Sequence, residues 1–451
     1  MRIVLVGGGK VGELLCHELA ESCEVVLIDT NPKIVEHLFS QYDIQAIVGN
    51  GADVKVQEEA NVSEADMFLA MTGSDELNII ASIIAKRIGA KYTIARVRAP
   101  EYHASIDFIR SSLGITAMLN PDEESAAEIN ELLSFPTAKS IETFVDGKVR
   151  IVETTIEDGT LLHGMTLREF RESFDGRLLV CIIERNGEVI VPTGNSVLYE
   201  GDRVHVTGSG QDLRRFYRTI KKDHAPIKST IIIGGGRIAY YLLQKLTKRR
   251  MDIKLIEVNE AKAMEMSQQF SNIVVINSDG TSQDVLDGEG LSSYDSCIAL
   301  TGIDEENVII SIYAKSQNVH KCISKVSRTS ILRVLSQIGM DTIITPKRII
   351  TDKILRMVRS IGNSGGSGVE RLYTLADDTV EAIEFLASEH SKILGISLTD
   401  LELHEGTLIA FIYRSGQSIF PSGRDSIQAG DRVIVVTTRP NVHDLDDIAV
   451  R

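Results

Sequence analysis

Apolar and polar positions follow two patterns along this chain, and the two patterns alternate. From the N-terminus to about Lys139, short apolar runs are separated by stretches whose apolar residues recur at helical spacing. This alternation predicts βαβ units around a parallel sheet. Five apolar runs predict five strands, which lie near Val4, Asp29, Asn50, Thr72 and Arg96.

The second pattern begins near Ser140, where short strands and glycine-rich turns continue to Tyr217. The Asn186–Gly187 pair lies between two apolar runs and predicts a β-hairpin. Both patterns then return in the same order, and the later turns lie in the runs FIYRSGQSIFP and AGDRVIVVTT. Each half of the chain therefore predicts an α/β domain followed by a smaller, β-rich domain.

A glycine-rich segment and three further motifs occur once in each half. Thr72–Gly73 within TGSDELN recurs as Thr301–Gly302 within TGIDEEN, an offset of 301 − 72 = 229 positions. The VPTG and GDRV motifs recur at the same offset, as FPSG and GDRV. A constant offset indicates a tandem duplication. The predicted domains are residues 1–139, 140–225, 226–362 and 363–451, with joints at Lys221–Pro226 and Asn363–Gly368.

Gly7, Gly9 and Gly12 form a GxGxxG pattern directly after the first strand and before a helical pattern. Here the glycines permit a tight turn, a close approach to phosphate and close helix–strand packing, and the helix N-terminus offers N–H groups to an anion. Asp29 ends the second strand, where a carboxylate accepts hydrogen bonds from ribose hydroxyls and repels a 2′-phosphate. The pattern favours NAD(H) or an adenine nucleotide over NADP. The alternative is a glycine-rich turn that serves packing alone.

The second copy has a modified glycine pattern, with Gly234 and Gly236 followed by Ala239, and its acid is Glu257. It is either a second nucleotide site or a decayed copy kept as scaffold. Two glycine fingerprints in this context predict an α/β fold with two Rossmann-type, doubly wound parallel sheets, each followed by a small α+β domain.

The carboxyl ends of the later strands are further places where a ligand is expected, because ligands of open α/β sheets bind at that edge. These ends carry Thr72–Gly73 and Arg96 in the first half, and Thr301–Gly302 and Lys325 in the second. A cation at the fifth strand can meet a phosphate; for Arg96 the alternative is a surface ion pair. Asn50–Gly51 and Asp279–Gly280 either border the adenine or simply form turns.

Composition narrows the function classes. The chain has 451 residues, a formal net charge of −15 and no Trp. This acidity disfavours nucleic acid and an anionic membrane surface as direct partners, so membrane association is expected to run through a protein. No apolar run approaches membrane-spanning length. The five cysteines form no CxxC pair, which predicts a reduced, intracellular protein without a metal site. They are Cys16, Cys23, Cys181, Cys297 and Cys322.

Catalytic motifs are not evident. The histidines of the β-rich domains do not occupy matched positions, and they are interpreted as surface or hydrogen-bonded residues rather than catalysts: His163, His205, His390 and His404. Duplicated ligand domains without catalytic residues favour sensing over turnover. The alternatives are an NAD-dependent oxidoreductase of unknown substrate, and a redox-sensing transcriptional regulator, for which the chain shows no basic DNA-reading helix.

Taken together, the loops GGGKVG and GGGRIA, the two acids, the TG-x-DE-x-N stretches and the GDRV hairpins resemble the TrkA family. Its members are peripheral cytosolic subunits of Trk/Ktr-type potassium uptake systems, with alternating RCK-N and RCK-C domains. The resemblance covers essentially the whole chain. It implies nucleotide-sensing RCK-N domains that bind NAD(H), ATP or ADP, regulatory RCK-C domains and no enzymatic activity. It also implies a homotetramer on the inner face of the cell membrane, docked on an integral-membrane, TrkH-like potassium channel subunit.

The resemblance also implies the ligand residues. In the first half these are Gly7, Gly8, Gly9, Lys10, Val11, Asp29, Thr72, Gly73 and Arg96. In the second half they are Gly234, Gly235, Gly236, Arg237, Ile238, Glu257, Thr301, Gly302 and Lys325. Three departures, at Ala239, Lys325 and Asn50, predict that the two sites differ. The segments Pro121–Leu133 and Pro346–Val358 are expected to pack either on another RCK-N domain or within their own.

Overall fold

The computed structural model describes residues 1–103, 105–136, 138, 140–220, 227–328, 332, 335, 340, 342–362, 369–376, 379–439 and 442–450. The predicted joints Lys221–Pro226 and Asn363–Gly368 lie outside these residues. Contacts divide the chain into two compact units. One contains Met1–Leu133 and Ile227–Leu355, and the other contains Ser134–Pro226 and Arg356–Arg451.

The first half opens with a six-stranded parallel sheet in the order β3-β2-β1-β4-β5-β6. Its elements are β1 (Arg2–Val6), α1 (Lys10–Leu19), β2 (Glu24–Asp29), α2 (Pro32–Gln41), β3 (Gln45–Val48), α3 (Val54–Glu59), β4 (Met67–Ala70), α4 (Asp75–Ile88), β5 (Tyr92–Arg96), α5 (Pro100–His103), α6 (Ile106–Leu113), β6 (Ala117–Leu119) and α7 (Pro121–Ser134). The central strands are buried on both faces, as parallel strands covered by helices must be. The strand order reverses between β1 and β4, which opens a crevice at their carboxyl ends.

An antiparallel five-stranded sheet follows, in the order β10-β9-β11-β8-β7. Its elements are β7 (Ile141–Phe144), β8 (Val149–Thr155), α8 (Leu167–Ser173), β9 (Leu178–Arg185), β10 (Glu188–Ile190), β11 (Arg203–Ser209) and α9 (Gly210–Thr219). Strands β9 and β10 form the hairpin predicted at Asn186–Gly187, where both residues have positive φ angles of 53° and 83°.

The second half repeats the parallel sheet in the equivalent order β14-β13-β12-β15-β16-β17. Its elements are β12 (Ser229–Ile233), α10 (Arg237–Leu246), β13 (Asp252–Glu257), α11 (Glu260–Gln269), β14 (Val274–Asn277), α12 (Gln283–Gly288), β15 (Ser296–Ala299), α13 (Asp304–Ser316), β16 (Lys321–Lys325), β17 (Ile343–Ile344) and α14 (Pro346–Gly362). The short sixth strand of each sheet was not predicted.

The last sheet is antiparallel, in the order β18-β19-β22-β20-β21, with β18 (Val369–Leu375), β19 (Val380–Leu386), β20 (Thr407–Arg414), β21 (Gln417–Ile419) and β22 (Arg432–Thr437). The fold class is therefore as predicted. Within their unit, the two antiparallel sheets share an apolar cluster that includes Phe144, Ile182, Phe411 and Ile434. The GDRV motif has a structural role in this unit, because Asp202 accepts two hydrogen bonds from Arg185, each of 2.7 Å.

Candidate nucleotide-binding sites

The first glycine loop leaves β1 in a conformation that glycine favours. Gly7 has a φ of +101°, and its N–H donates to the carbonyl of Ile28 at 2.8 Å. A Cβ on Gly12 would lie 1.9 Å from the Gly7 carbonyl oxygen, so the close packing of α1 against the loop excludes any side chain there. At Gly9, which precedes α1, a Cβ would meet nothing within 4 Å. The helix N-terminus is therefore open toward the crevice, with N–H groups that suit an anion.

Asp29 holds this loop from the end of β2. Its Oδ2 accepts from the N–H of Gly8 at 2.7 Å, and its Oδ1 accepts from the N–H of Asn31 at 2.8 Å. Carboxylate oxygens accept more than one hydrogen bond, so both retain capacity for ribose hydroxyls. Sequence reasoning assigned Asp29 to the ligand alone and missed this loop-fixing role.

The ends of β4 and β5 are fastened together by Asn78, a fully buried residue of α4. Its Oδ1 accepts from the Thr72 N–H at 2.9 Å, and its Nδ2 donates to the carbonyls of Thr72 at 3.2 Å and Arg96 at 2.9 Å. The Arg96 guanidinium also donates to the Thr72 carbonyl. The backbone N–H and carbonyl of Thr72 are thus already hydrogen-bonded within the protein. Gly73 and the Arg96 side chain are the groups at these strand ends that remain for a ligand.

Asp75 explains another part of the TG-x-DE-x-N motif. Its Oδ2 accepts from the N–H groups of Arg98 and Ala99, both at 2.8 Å, and so fixes the chain after β5. The motif spacing that the two halves share therefore reflects scaffolding of the strand ends. The signal in the sequence was the exact repetition of Asp and Asn at the offset of the two halves.

These elements enclose a cavity of about 450 Å³, within the range of small-molecule sites. It brings together the predicted residues Gly7, Gly9, Lys10, Val11, Asp29, Thr72, Gly73 and Arg96, together with Asn50 and Gly51. Gly8 lies outside the lining, hydrogen-bonded to Asp29. Asn50 both lines the cavity and forms a turn, since its Oδ1 accepts from Ala52 N–H at 3.0 Å.

Arg96 is the half-buried cation of this cavity. Burial lowers its pKa to about 10, and the neighbouring charge of Arg98 contributes in the same direction. An anionic ligand beside Arg96 would stabilise the charged guanidinium. Lys10, at the first position of α1, is exposed and has no ion-pair partner among the described residues.

The second glycine loop reproduces the local geometry of the first. Gly234 has a φ of +99°, and Gly235 N–H donates to Glu257 Oε2 at 2.5 Å. Asn259 N–H donates to the other Glu257 oxygen at 2.8 Å. Asn307 repeats the strand clamp, with its Oδ1 accepting from Thr301 N–H at 2.8 Å and its Nδ2 donating to the Lys325 carbonyl at 3.0 Å.

The cavity at the second loop is larger and is placed differently. It has about 740 Å³ and contains the predicted residues Gly235, Gly236, Arg237, Ile238 and Lys325, whereas Gly234, Glu257, Thr301 and Gly302 are not part of its lining. Residues of the first half complete the wall: Ala99, Pro100, Glu101 and Asp122. Asp279–Gly280 does not reach this cavity; Asp279 forms a turn by accepting from Thr281 N–H at 2.9 Å.

The helix α7 reaches the second parallel-sheet domain, in agreement with the first of the two packing alternatives. Arg237 Nε donates to Asp122 Oδ2 at 2.7 Å, and Lys353 of α14 pairs with Glu124. Tyr241 of α10 is 1% exposed and donates to the Arg98 carbonyl at 3.0 Å. The two domains of this unit are therefore joined by polar contacts close to the second cavity.

Two described histidines of the first antiparallel domain, His163 and His205, have hydrogen-bond partners. His205 is buried, with Nε2 2.7 Å from Glu184 Oε1, and His163 Nδ1 accepts from Glu200 N–H at 3.0 Å. No helix in the described part of the chain is both long and apolar enough to cross a bilayer.

Comparison with protein families agrees with this architecture. The TrkA-N domain model matches residues 3–121 and 230–346, and the TrkA-C domain model matches residues 151–221 and 382–449. The chain belongs to the TrkA family. The two parallel-sheet domains are TrkA-N domains, and each glycine loop lies within one of them.

TrkA-family relatives align over nearly the full length. The Trk system potassium uptake protein TrkA homolog of Archaeoglobus fulgidus is 29% identical over 450 residues, which cover 99% of this chain and 100% of the relative. Trk system potassium uptake protein TrkA of Azorhizobium caulinodans is 27% identical over 458 residues, covering 99% and 98%.

The fold is also that of solved RCK structures. The GsuK channel bound to NAD has a TM-score of 0.62 at 18% identity, covering 97% of this chain and 76% of that chain. GsuK bound to ADP has a TM-score of 0.51 at 14% identity, covering 79% and 69%. At these identities the likeness concerns the fold.

Proposed function

We propose that this chain is a nucleotide-sensing regulatory subunit of a potassium uptake system, and that NAD(H), ATP or ADP binds at its two glycine loops. The observation that carries the proposal is the first cavity, where an open helix N-terminus, a loop-fixing carboxylate and a half-buried arginine meet. Those groups match, in order, a phosphate, a ribose and a second phosphate. Membership of the TrkA family and the names of the relatives supply the transport context.

The ligand class follows from the charges around the first loop. Asp29 lies beside the position of a ribose and repels a 2′-phosphate, which favours NAD(H) or an adenine nucleotide over NADP. Lys10 and Arg96 provide cations for a polyphosphate or diphosphate. The GsuK channel bound to NAD and GsuK bound to ADP have the same fold and support this class.

Regulation requires a partner and a bistable assembly. The proposed partner is an integral-membrane, TrkH-like potassium channel subunit, on which a homotetramer of this chain docks from the cytoplasmic side. A nucleotide shifts such an assembly only by its difference in affinity between two states. A tenfold preference corresponds to about 1.4 kcal/mol per site, so several sites in one assembly can bias the channel strongly.

A sensing role without turnover is favoured over an oxidoreductase. Among the residues that line the first cavity, the titratable side chains are Lys10, Asp29 and Arg96. Asp29 is engaged by two backbone N–H groups, and Arg96 is a poor proton-transfer group because arginine stays charged. Sustained loss of NADH absorbance with any candidate substrate would favour the oxidoreductase.

Two glycine substitutions separate the sites. Gly9 and Gly236 have extended φ and ψ angles that any residue adopts, and a Cβ at either position meets nothing within 4 Å. Gly9→Asp and Gly236→Asp would each place a carboxylate at a helix N-cap, a favoured position for Asp, where it occupies the place of a phosphate. The matched control is Gly288→Asp, at an exposed glycine whose Cβ is equally unobstructed.

Calorimetry with ATP, ADP and NADH measures the outcome on the full chain. Each loop variant is expected to lose one set of sites and keep the other, while Gly288→Asp binds as wild type. Potassium flux through the reconstituted channel subunit is expected to lose its nucleotide response in the Gly9→Asp, Gly236→Asp double variant. Binding of none of the three nucleotides by wild type, or flux that ignores all three, would overturn the proposal.

A further inference from the structure

The second cavity contains an acidic residue that belongs to the first half of the chain. Asp122 is the second residue of α7, and its side chain is 16% exposed. Its Oδ2 lies 2.7 Å from Arg237 Nε, and both residues line the cavity. Because the contact joins residues that are 115 positions apart, it is a tertiary feature and not a local helix pair.

Arg237 is the side chain that is expected to bind a phosphate at the second loop. It is the first residue of α10, directly after the glycine loop, and it occupies the place that Lys10 has at the first loop. Lys10 has no ion-pair partner among the described residues, whereas Arg237 is paired with Asp122. The two loops therefore offer the same backbone but unequal positive charge.

The charge of Asp122 extends to the other cation of the cavity. Burial lowers the pKa of Lys325, while the carboxylates of Asp304 and Asp122 act in the opposite direction. Glu101 and Glu265 also line this cavity, so its acidic side chains balance its three cations: Arg237, Lys262 and Lys325. A polyanion would enter a cavity whose positive charge is already largely compensated.

We propose that Asp122 determines the nucleotide preference of the second site by holding Arg237 and so disfavouring ATP and ADP relative to NAD(H). This inference rests on the proposed function of the second loop. The diphosphate of NAD(H) is esterified at both ends and can be held by backbone N–H groups of the loop. ATP and ADP end in a phosphate that is linked on one side only and carries an additional negative charge, so it needs a free cation and is repelled by a carboxylate at hydrogen-bonding distance from that cation.

The test isolates the second site. Calorimetry is performed on the full chain carrying Gly9→Asp, with and without Asp122→Asn, using ATP, ADP and NADH in the presence of EDTA. Asp122→Asn is expected to tighten ATP and ADP binding by about fivefold, the effect of releasing one partly exposed ion pair, and NADH binding by less than about twofold. The matched control is Asp284→Asn, at an exposed aspartate that is likewise the second residue of its helix, α12, and lies outside this cavity; it is expected to change the ATP-to-NADH preference by less than about twofold.

Asp122→Ser is measured beside Asp122→Asn, since serine is also tolerated in the first turn of a helix and guards against a variant-specific folding defect. An unchanged ATP-to-NADH preference in both Asp122 variants would overturn the inference and leave the proposed function intact. The inference would also be overturned if both variants bound ATP more weakly than the Gly9→Asp parent when Mg²⁺ replaces EDTA. Asp122 would then act as a metal ligand. Absence of any nucleotide binding in the Gly9→Asp background, with Gly9→Asp and wild type equally folded, would instead refute a second nucleotide site.

Discussion

The Oδ2 atom of Asp29 accepts a hydrogen bond from the Gly8 N–H at 2.7 Å, and Glu257 repeats this contact with Gly235 at 2.5 Å. An aspartate and a longer glutamate thus hold equivalent loops from the ends of equivalent strands. Each acid fixes its glycine loop even without a ligand. Its removal should therefore disturb both the loop and nucleotide binding.

Asp29→Ala removes the acceptor for two backbone N–H groups. We measure this variant in a Gly236→Asp background, in which only the first site is expected to bind nucleotide. We expect nucleotide affinity to fall about tenfold, the effect of one charge-assisted hydrogen bond. Asp43→Ala, at an exposed acid of the same domain, is the control. Equal dissociation constants for Asp29→Ala and the control would contradict a loop-fixing role.

Gly12 and Gly9 provide a matched pair of alanine substitutions in one loop. The Cβ of Gly12→Ala would lie 1.9 Å from the Gly7 carbonyl oxygen, so α1 must move, and we expect unfolding free energy to fall by about 2 kcal/mol. Gly9→Ala meets nothing within 4 Å and should cost only the preference for glycine over alanine at a helix N-cap, at most about 1 kcal/mol. Urea denaturation measures both. Equal midpoints would show that the loop relaxes freely around a methyl group.

The ion pair between Arg185 and Asp202 should stabilise the first antiparallel domain. The Asp202 side chain is 1% exposed and also accepts from Tyr199 N–H at 2.8 Å, so Asp202→Ala leaves these donors without their acceptor. We expect a loss of about 2–3 kcal/mol. Thermal unfolding without nucleotide is the measurement, and the exposed Glu188→Ala serves as control. A Tm equal to that of the control would exclude a stabilising role.

Four of the five thiols should be unreactive in the folded chain. Burial raises the pKa of Cys16 and Cys181 to about 12 and that of Cys322 to about 11, and it raises the pKa of Cys297 well above the usual range. At pH 8 these thiols stay protonated, and the thiolate is the reactive form.

An aromatic disulfide reagent should therefore label the half-buried Cys23 rapidly, and the other four, including the half-buried Cys322 with its raised pKa, only after denaturation. Cys23→Ser is the control and should abolish the rapid phase. Rapid labelling of more than one thiol in the native protein would contradict this prediction.

Local patterns predicted the glycine loops, the acids that follow them and the parallel and antiparallel sheets. They missed β6 and β17, because strands of three and two residues are too short for a period to be recognised. They also missed the role of Asn78: a polar residue in an amphipathic helix is usually solvated, and its burial depends on the nearby ends of β4 and β5.

Local sequence patterns could not predict the contact between Asp122 and Arg237, for a different reason. The two residues are far apart in the chain. Each belongs to a helix that its own local sequence predicts, so neither helix indicates that it contacts the other. The sequence did indicate that the loops differ, through Ala239 and Lys325. The inequality in available positive charge becomes evident only when α7 is placed against the second domain.

The Asp122–Arg237 contact also bears on why two copies share one polypeptide. In a symmetric dimer of identical chains every such contact occurs twice, so any change at one site is imposed on the other. Here α7 opens with Pro121–Asp122 but α14 opens with Pro346–Lys347, and the symmetry-related counterpart of the acid is a base. Covalent fusion frees each copy to diverge while keeping the two at equal abundance. A single gene product can thus carry two unlike TrkA-N domains in a fixed one-to-one ratio.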